Sequence, residues 1–171
     1  GNAYVTGTTN STSFAGLSGS NAGLTDAFVI KLTPAGNGVS YGVYTGGNGS
    51  DAGFGIAVDR QTNCYIVGQT TSTSIPAVPG SFQTGNAGGN DGFIAKFNPG
   101  GARQYWAYYG GTGFDLVKSI AVDSLGNAYI GGETTSTSIP TLNAFQPAYG
   151  GGIRDGFVRK LNSFGTGLVW A

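Results

Sequence analysis

The side chains able to do chemistry are few, and they repeat. The chain of 171 residues carries eight acidic and eight basic groups and no histidine. The commonest general base, and the usual partner of a Ser or Cys nucleophile, is therefore missing. All seven aspartates fall into recurring sets: Asp26, Asp91 and Asp155; Asp51 and Asp115; Asp59 and Asp123. Lys31, Lys96 and Lys160 recur in the same way. A residue written into every repeat is expected to satisfy backbone N–H groups in a turn. Glu133 alone does not recur, standing where the other copies have Gln69 and Thr8. One carboxylate makes no acid–base pair, so no catalytic residue is assigned and no enzyme is expected.

The sharpest metal signal is Gly46-Gly-Asn-Gly-Ser-Asp51, echoed by Gly110-Gly-Thr-Gly-Phe-Asp115. Both match the first six positions of the calcium-binding nonapeptide G-G-x-G-x-D. In that architecture copies stack every nine residues, whereas these lie 64 apart, with Gly53 and Val117 at the apolar position. The expected role is a Gly-rich turn. Calcium at Asp51 or Asp115, with carbonyl oxygens, is the alternative. No other cofactor is expected. Cys64 is single and aligns with Ala3 and Ala128, so it reads as a small core side chain rather than half a disulfide. The Thr-Thr-Ser-Thr-Ser runs are rich in hydroxyls, which at strand ends cap backbone groups more often than they bind sugar. Asn10-Ser-Thr12 and Asn48-Gly-Ser50 are formal glycosylation sequons, read as accidental. Trp106 and Trp170 read as aligned copies serving packing.

These residues are positioned by a long repeat. Asn127-Ala-Tyr-Ile-Gly-Gly-Glu-Thr-Thr-Ser-Thr-Ser-Ile-Pro140 is nearly rewritten from Asn63 to Pro76, and a looser copy runs from Asn2 to Thr9. The copies lie 61 and 64 residues apart. Each period holds four strand-like runs rich in Val, Ile, Phe, Tyr and Thr. In the best copy they are Tyr105–Tyr109, Ser119–Asp123, the stretch from Asn127, and Asp155–Leu161. Tyr41–Thr45, Gly55–Asp59, Asp26–Leu32 and Asp91–Phe97 are their counterparts, and Val169–Ala171 repeats the first run. Asp59–Asn63 and Asp123–Asn127 are suited to hairpin turns. Ile75, Ile139, Phe82 and Phe145 are expected to tuck the long loops onto the strands, and Phe28, Phe93 and Phe157 to be buried between blades with their strand neighbours alternating outward. No helical period is present.

The expected fold is all-β, with four-stranded antiparallel β-propeller blades repeated about three times. The array is a single domain, residues 1–171, with units at 1–45 (partial), 46–109 and 110–171. The first unit lacks an Ile-Ala-Val-Asp strand. Three blades are too few to close a ring, so the expectation is a partial propeller or one closed by association.

Gly-Ile-Ala-Val-Asp, Gly-Asn-Ala-Tyr-Ile, Ser-Ile-Pro, Ala-Phe-Gln and Asp-Gly-Phe-Val-x-Lys-Leu together resemble the bacterial SBBP β-propeller repeats. The Ile-Ala-Val-Asp strand followed by Gly-Asn and a Tyr-Val strand is also similar to NHL-type blades. The first copy departs from this pattern, with a shorter loop from Asn10 to Thr25 and Phe14 in place of Ile-Pro. The resemblance implies a propeller of secreted or cell-surface bacterial proteins, with no shared catalytic residue.

Charged residues are only 9% of the chain and balance to zero, leaving no field to attract nucleic acid or an anionic membrane. No apolar run reaches the roughly 18 residues of a spanning helix. The expected role is a structural or adhesive scaffold whose partners are other blades, of the same longer chain or of identical copies. A lectin-like propeller binding glycan is the alternative.

Overall fold

The computed structural model describes residues 1–75 and 80–171. Pro76, which closes the second Ser-Ile-Pro run, lies outside the described residues. The described residues form eleven strands: β1 (Tyr4–Thr9), β2 (Asp26–Leu32), β3 (Val39–Thr45), β4 (Asp51–Val58), β5 (Cys64–Thr70), β6 (Asp91–Phe97), β7 (Arg103–Tyr109), β8 (Asp115–Val122), β9 (Ala128–Thr134), β10 (Asp155–Leu161) and β11 (Leu168–Trp170). They make three antiparallel sheets in chain order: β1-β2-β3, β4-β5-β6-β7 and β8-β9-β10-β11, here called sheets 1, 2 and 3. The chain is all-β, as its alternating apolar pattern and turn residues predict.

Turn chemistry fixes the register. In sheet 2 the Asp59 carboxylate accepts the Asn63 backbone N–H at 2.9 Å and the Asn63 side-chain amide at 2.8 Å. Asp123 holds Asn127 in the same way in sheet 3, at 2.9 Å for both bonds. β4 and β8 each carry an irregularity, between Gly53 and Gly55 and between Val117 and Ser119. Phe54 and Lys118 are pushed out to solvent there. The bulge brings the Ala52 carbonyl oxygen to 1.8 Å from where a Cβ on Gly68 would lie, and the Leu116 oxygen to 1.9 Å from one on Gly132. No side chain fits at that position of the Tyr-Ile-x-Gly motif.

The sheets stack face to face. Ala27 and Val29 of sheet 1 meet Cys64, Ile66, Phe93, Ala95, Phe97, Trp106 and Tyr108 of sheet 2. The other face of sheet 2, with Tyr65, Val67, Ile94, Tyr105, Ala107 and Tyr109, meets Val117, Ala128, Ile130 and Leu161 of sheet 3. Phe93 is fully buried, stacked on Trp106 at 4.2 Å.

Four expectations need correction. The neighbours of Phe93 were expected to alternate outward, yet Ile94 is equally buried. Sheet 2 is covered on both sides, so alternation carries no polar face there. Phe28 and Phe157 are only half-buried, the first against Phe14 and the second against Tyr109. Phe145 does not tuck in at all; it is fully exposed, while its counterpart Phe82 packs on the core between sheets 2 and 3. Finally, Trp170 is not the counterpart of Trp106. It pairs with Lys160 as Tyr105 pairs with Lys96 and Tyr41 with Lys31. The turn closed by the Asn162 N–H and the Gly167 carbonyl is one residue longer than the one closed by Asn98 and Ala102.

Replacing Phe93 by alanine should cost about 3–5 kcal/mol of unfolding free energy, the range for deleting a fully buried aromatic ring. Phe28→Ala, at a half-covered face, should cost clearly less. Urea denaturation of both variants checks the order.

Candidate functional site

The polar groups gather at the seams between sheets, and the Gly-Gly-x-Gly-x-Asp loops lie at their centre. Asp51 Oδ2 accepts the Gly47 N–H at 2.9 Å and the Ser72 hydroxyl at 2.7 Å. Ser72 in turn accepts the Gly49 N–H, and Thr71 accepts the N–H of Ser50. Asp115 repeats the arrangement with Gly111 at 2.8 Å and Ser136 at 2.7 Å, and Thr135 accepts the N–H of Phe114. The Thr-Thr-Ser-Thr-Ser runs therefore cap these loops, as their strand-end position suggested. Asn48 is occupied in the same way, exchanging hydrogen bonds with Thr73.

Across each seam a second aspartate arrives from the preceding sheet. The chain spacing did not reveal this meeting. Asp26 and Asp51 carboxylate oxygens both lie 2.6 Å from where a Cβ on Gly46 would stand, and Asp91 and Asp115 oxygens lie 2.7 Å from one on Gly110. Only glycine permits so close an approach. All four aspartates are buried. Burial, followed by the charge of Asp115, pushes Asp91 up to about 6, against the lowering effect of the Ala87 N–H. Asp26 is raised for the same reasons, burial first and Asp51 after the Ala22 hydrogen bond. Asp155, the third member of the set, is only half-buried and is held by the Gly150 N–H.

A second repeated cluster lies at the hairpin turns. Tyr65 donates to Asp59 at 3.0 Å and lies within 3.3 Å of the Gly126 carbonyl of sheet 3. Burial pushes the Asp59 carboxyl up, but the Asn63 and Tyr65 hydrogen bonds and the Lys96 charge outweigh it, leaving it lowered. Lys96 lies 5.0 Å from the Tyr65 ring and reaches the Ser163 carbonyl of the next sheet at 3.2 Å. Lys31 does likewise, over Tyr4 at 5.4 Å and to the Pro99 carbonyl at 3.4 Å. Lys31 and Lys96 are thus latches between sheets, whereas Lys160 stays within sheet 3. Lys160 lies over Tyr129 at 4.8 Å and pairs with Asp123 at 3.3 Å.

The non-recurring candidates stand apart from both clusters. Glu133 is bound on the surface by Lys118 and by Arg154, the latter at 2.8 Å, which lowers its carboxyl. Cys64 is fully enclosed, and burial pushes its thiol up to about 12, which removes thiolate chemistry at neutral pH. Arg159, which the repeat pattern did not single out, is a buried cation lying 4.5 Å from the Tyr109 ring. It borders a groove of about 380 Å³ on sheet 3, also lined by Phe145, Gln146, Phe157 and Trp170. Among the described residues no group of three or more His, Cys, Asp or Glu is gathered for a metal.

Stacked antiparallel sheets with repeated polar seams define an all-β repeat protein. Residues 104–140, covering β7 to β9 and the hydroxyl-rich run, match the SBBP family, described as a beta-propeller repeat. Over those residues the chain is similar to one such repeat. No curated protein matches it.

Burial of Asp91, with the Asp115 charge beside it, makes stability depend on pH. The folded chain keeps the Asp91 proton up to about pH 6, while the unfolded chain releases it near 3.8. Its contribution to stability is therefore full below about pH 4 and lost as pH rises through 6. Asp91→Asn keeps an acceptor for the Ala87 N–H and removes the charge. It should raise stability at pH 7–8 by about 1–3 kcal/mol and leave it unchanged at pH 4. Melting temperature against pH, wild type beside variant, is the check.

Proposed function

We propose that this chain is a non-enzymatic β-propeller scaffold of the extracellular or cell-surface class, whose partner is another blade of its own kind. One observation supports it most. Its two internal seams use the same groups, and its two outer faces carry those groups uncovered. Ile66 and Ile130 are buried, but Val5, at the same position in sheet 1, is 40% exposed. Val29 and Ile94 are buried, but Val158 in sheet 3 is 61% exposed. Trp170 is 37% exposed, where Tyr105 is 3%. The front face of one copy thus complements the rear face of another, a heterologous contact that yields a ring or a filament. In this reading the sheets are propeller blades and the repeat count is about three. A low charge content and a lack of paired cysteines suit a bacterial surface protein, and the repeat family adds to that.

A solution mass that rises above one chain with concentration is the expected result, and Val158→Glu should hold the protein at one chain. Light scattering across a concentration series decides it. A wild type that stays a well-folded monomer throughout would overturn the reading. A clear hit on a glycan array would move the assignment to a lectin-like propeller.

A further inference from the structure

The two seams look alike in sequence and differ in how fully their carboxylates are satisfied. Between sheets 2 and 3, Asp115 accepts Thr134 at 2.5 Å through Oδ1, and Gly111 and Ser136 through Oδ2. Asp91 Oδ2 takes the Ala87 N–H at 2.8 Å and the Gln83 amide at 3.0 Å. Of the two carboxylates, one oxygen is left over, Asp91 Oδ1.

Between sheets 1 and 2 both carboxylates leave an oxygen over. Asp26 Oδ1, Asp51 Oδ1 and Thr45 Oγ1 are each buried without a hydrogen-bond partner among the described residues. Their residues are exposed by only 1%, 0% and 3%. Thr45 directly precedes Gly46 and pairs with Ala27, the residue after Asp26. Along β3 it alternates with Tyr41 and Val43, which pack on the core with sheet 2. Asp51 pairs with Thr70, which alternates with Cys64 and Ile66 on the face turned to sheet 1. Asp26 and Asp51 therefore meet from the two sides of one seam, at a glycine whose Cβ would collide with both, and the adjoining Thr45 turns toward sheet 2. In the second seam Tyr109 stands in place of Thr45, and its hydroxyl is likewise buried without a partner among the described residues, but Asp115 there has both oxygens bonded.

Two adjacent carboxylates in a buried site need a proton or a cation. One shared proton joins the two carboxylate oxygens and leaves the Thr45 hydroxyl without a partner. A hard cation that takes six to eight oxygen ligands accepts all three and offsets both charges. We propose that a divalent cation of the calcium class bridges sheets 1 and 2, held by Asp26, Asp51 and the Thr45 hydroxyl around Gly46. The site binds one ion per chain and clamps sheet 1 to sheet 2. It goes beyond the scaffold reading and does not depend on it.

The test uses the full chain, stripped with chelator and titrated with calcium up to about 10 mM, above the weakest class of such sites. Melting temperature and terbium luminescence excited through nearby tyrosines are the readouts. Wild type should melt higher with calcium and bind one terbium, as ligand binding to the native state requires. Asp91→Asn, at the other seam, should respond as wild type does. Thr45→Val, which keeps shape and charge, should weaken binding by at least about tenfold, and Asp26→Asn should abolish it. If Asp26→Asn fails to fold, Thr45→Val decides alone. A wild-type melt that follows pH but ignores calcium overturns the proposal in favour of a shared proton. So does a Thr45→Val variant that binds as tightly as wild type.

Discussion

Each sheet of this chain has two apolar faces, and water leaves both only where a sheet stands on either side. Sheet 2 meets that condition. Its β5 and β6 are buried almost throughout, from Cys64 to Val67 and from Asp91 to Ala95. β10 of sheet 3, with nearly the same residues, is buried mainly on the side facing sheet 2. The difference lies in neighbours, not in composition. A repeat of this kind gains its stability mostly from interfaces, as a one-dimensional array does.

That constraint accounts for the polar residues too. Where sheets press together, charge can persist only if it is held by backbone N–H groups, hydroxyls or a facing opposite charge. The Gly-rich loops supply the N–H groups, the Thr-Ser runs supply the hydroxyls, and Lys31 and Lys96 reach carbonyls on the next sheet. Glycine at 46 and 110 lets carboxylates from two sheets lie closer than a side chain would allow. The same choice concentrates unfavourable charge there, which adds to burial in raising Asp91. Low overall charge follows, because little of each sheet is left to face water.

Much of this was legible from the residues. β2, β6 and β10 begin and end where the Asp-x-Phe runs do, because Asp caps each start and a Pro or Gly turn follows. β4 and β8 start four residues before Gly55 and Ser119, where the expected runs begin, since their glycines and bulges interrupt the apolar pattern. The place of Trp170 was not legible, as one extra turn residue shifts it by one register position. Nor were the aspartate pairs, because Asp26 and Asp51 belong to different sheets and meet only by stacking. The repeated glycine ahead of each Asp51-type residue was the available signal, and it also fits an ordinary turn. The burial of Phe28, Phe93 and Phe157 differs because identical motifs have different neighbours.

The central claim is that stability resides in the seams rather than within each sheet. Native-state amide hydrogen exchange measures it directly, because protection reports the free energy of local opening. The account predicts the slowest exchange at Ile66, Val67, Phe93 and Ile94 in sheet 2, with sheets 1 and 3 opening at lower energy. Equal protection at matched positions in all three sheets, or greatest protection in sheet 1 or 3, would contradict it.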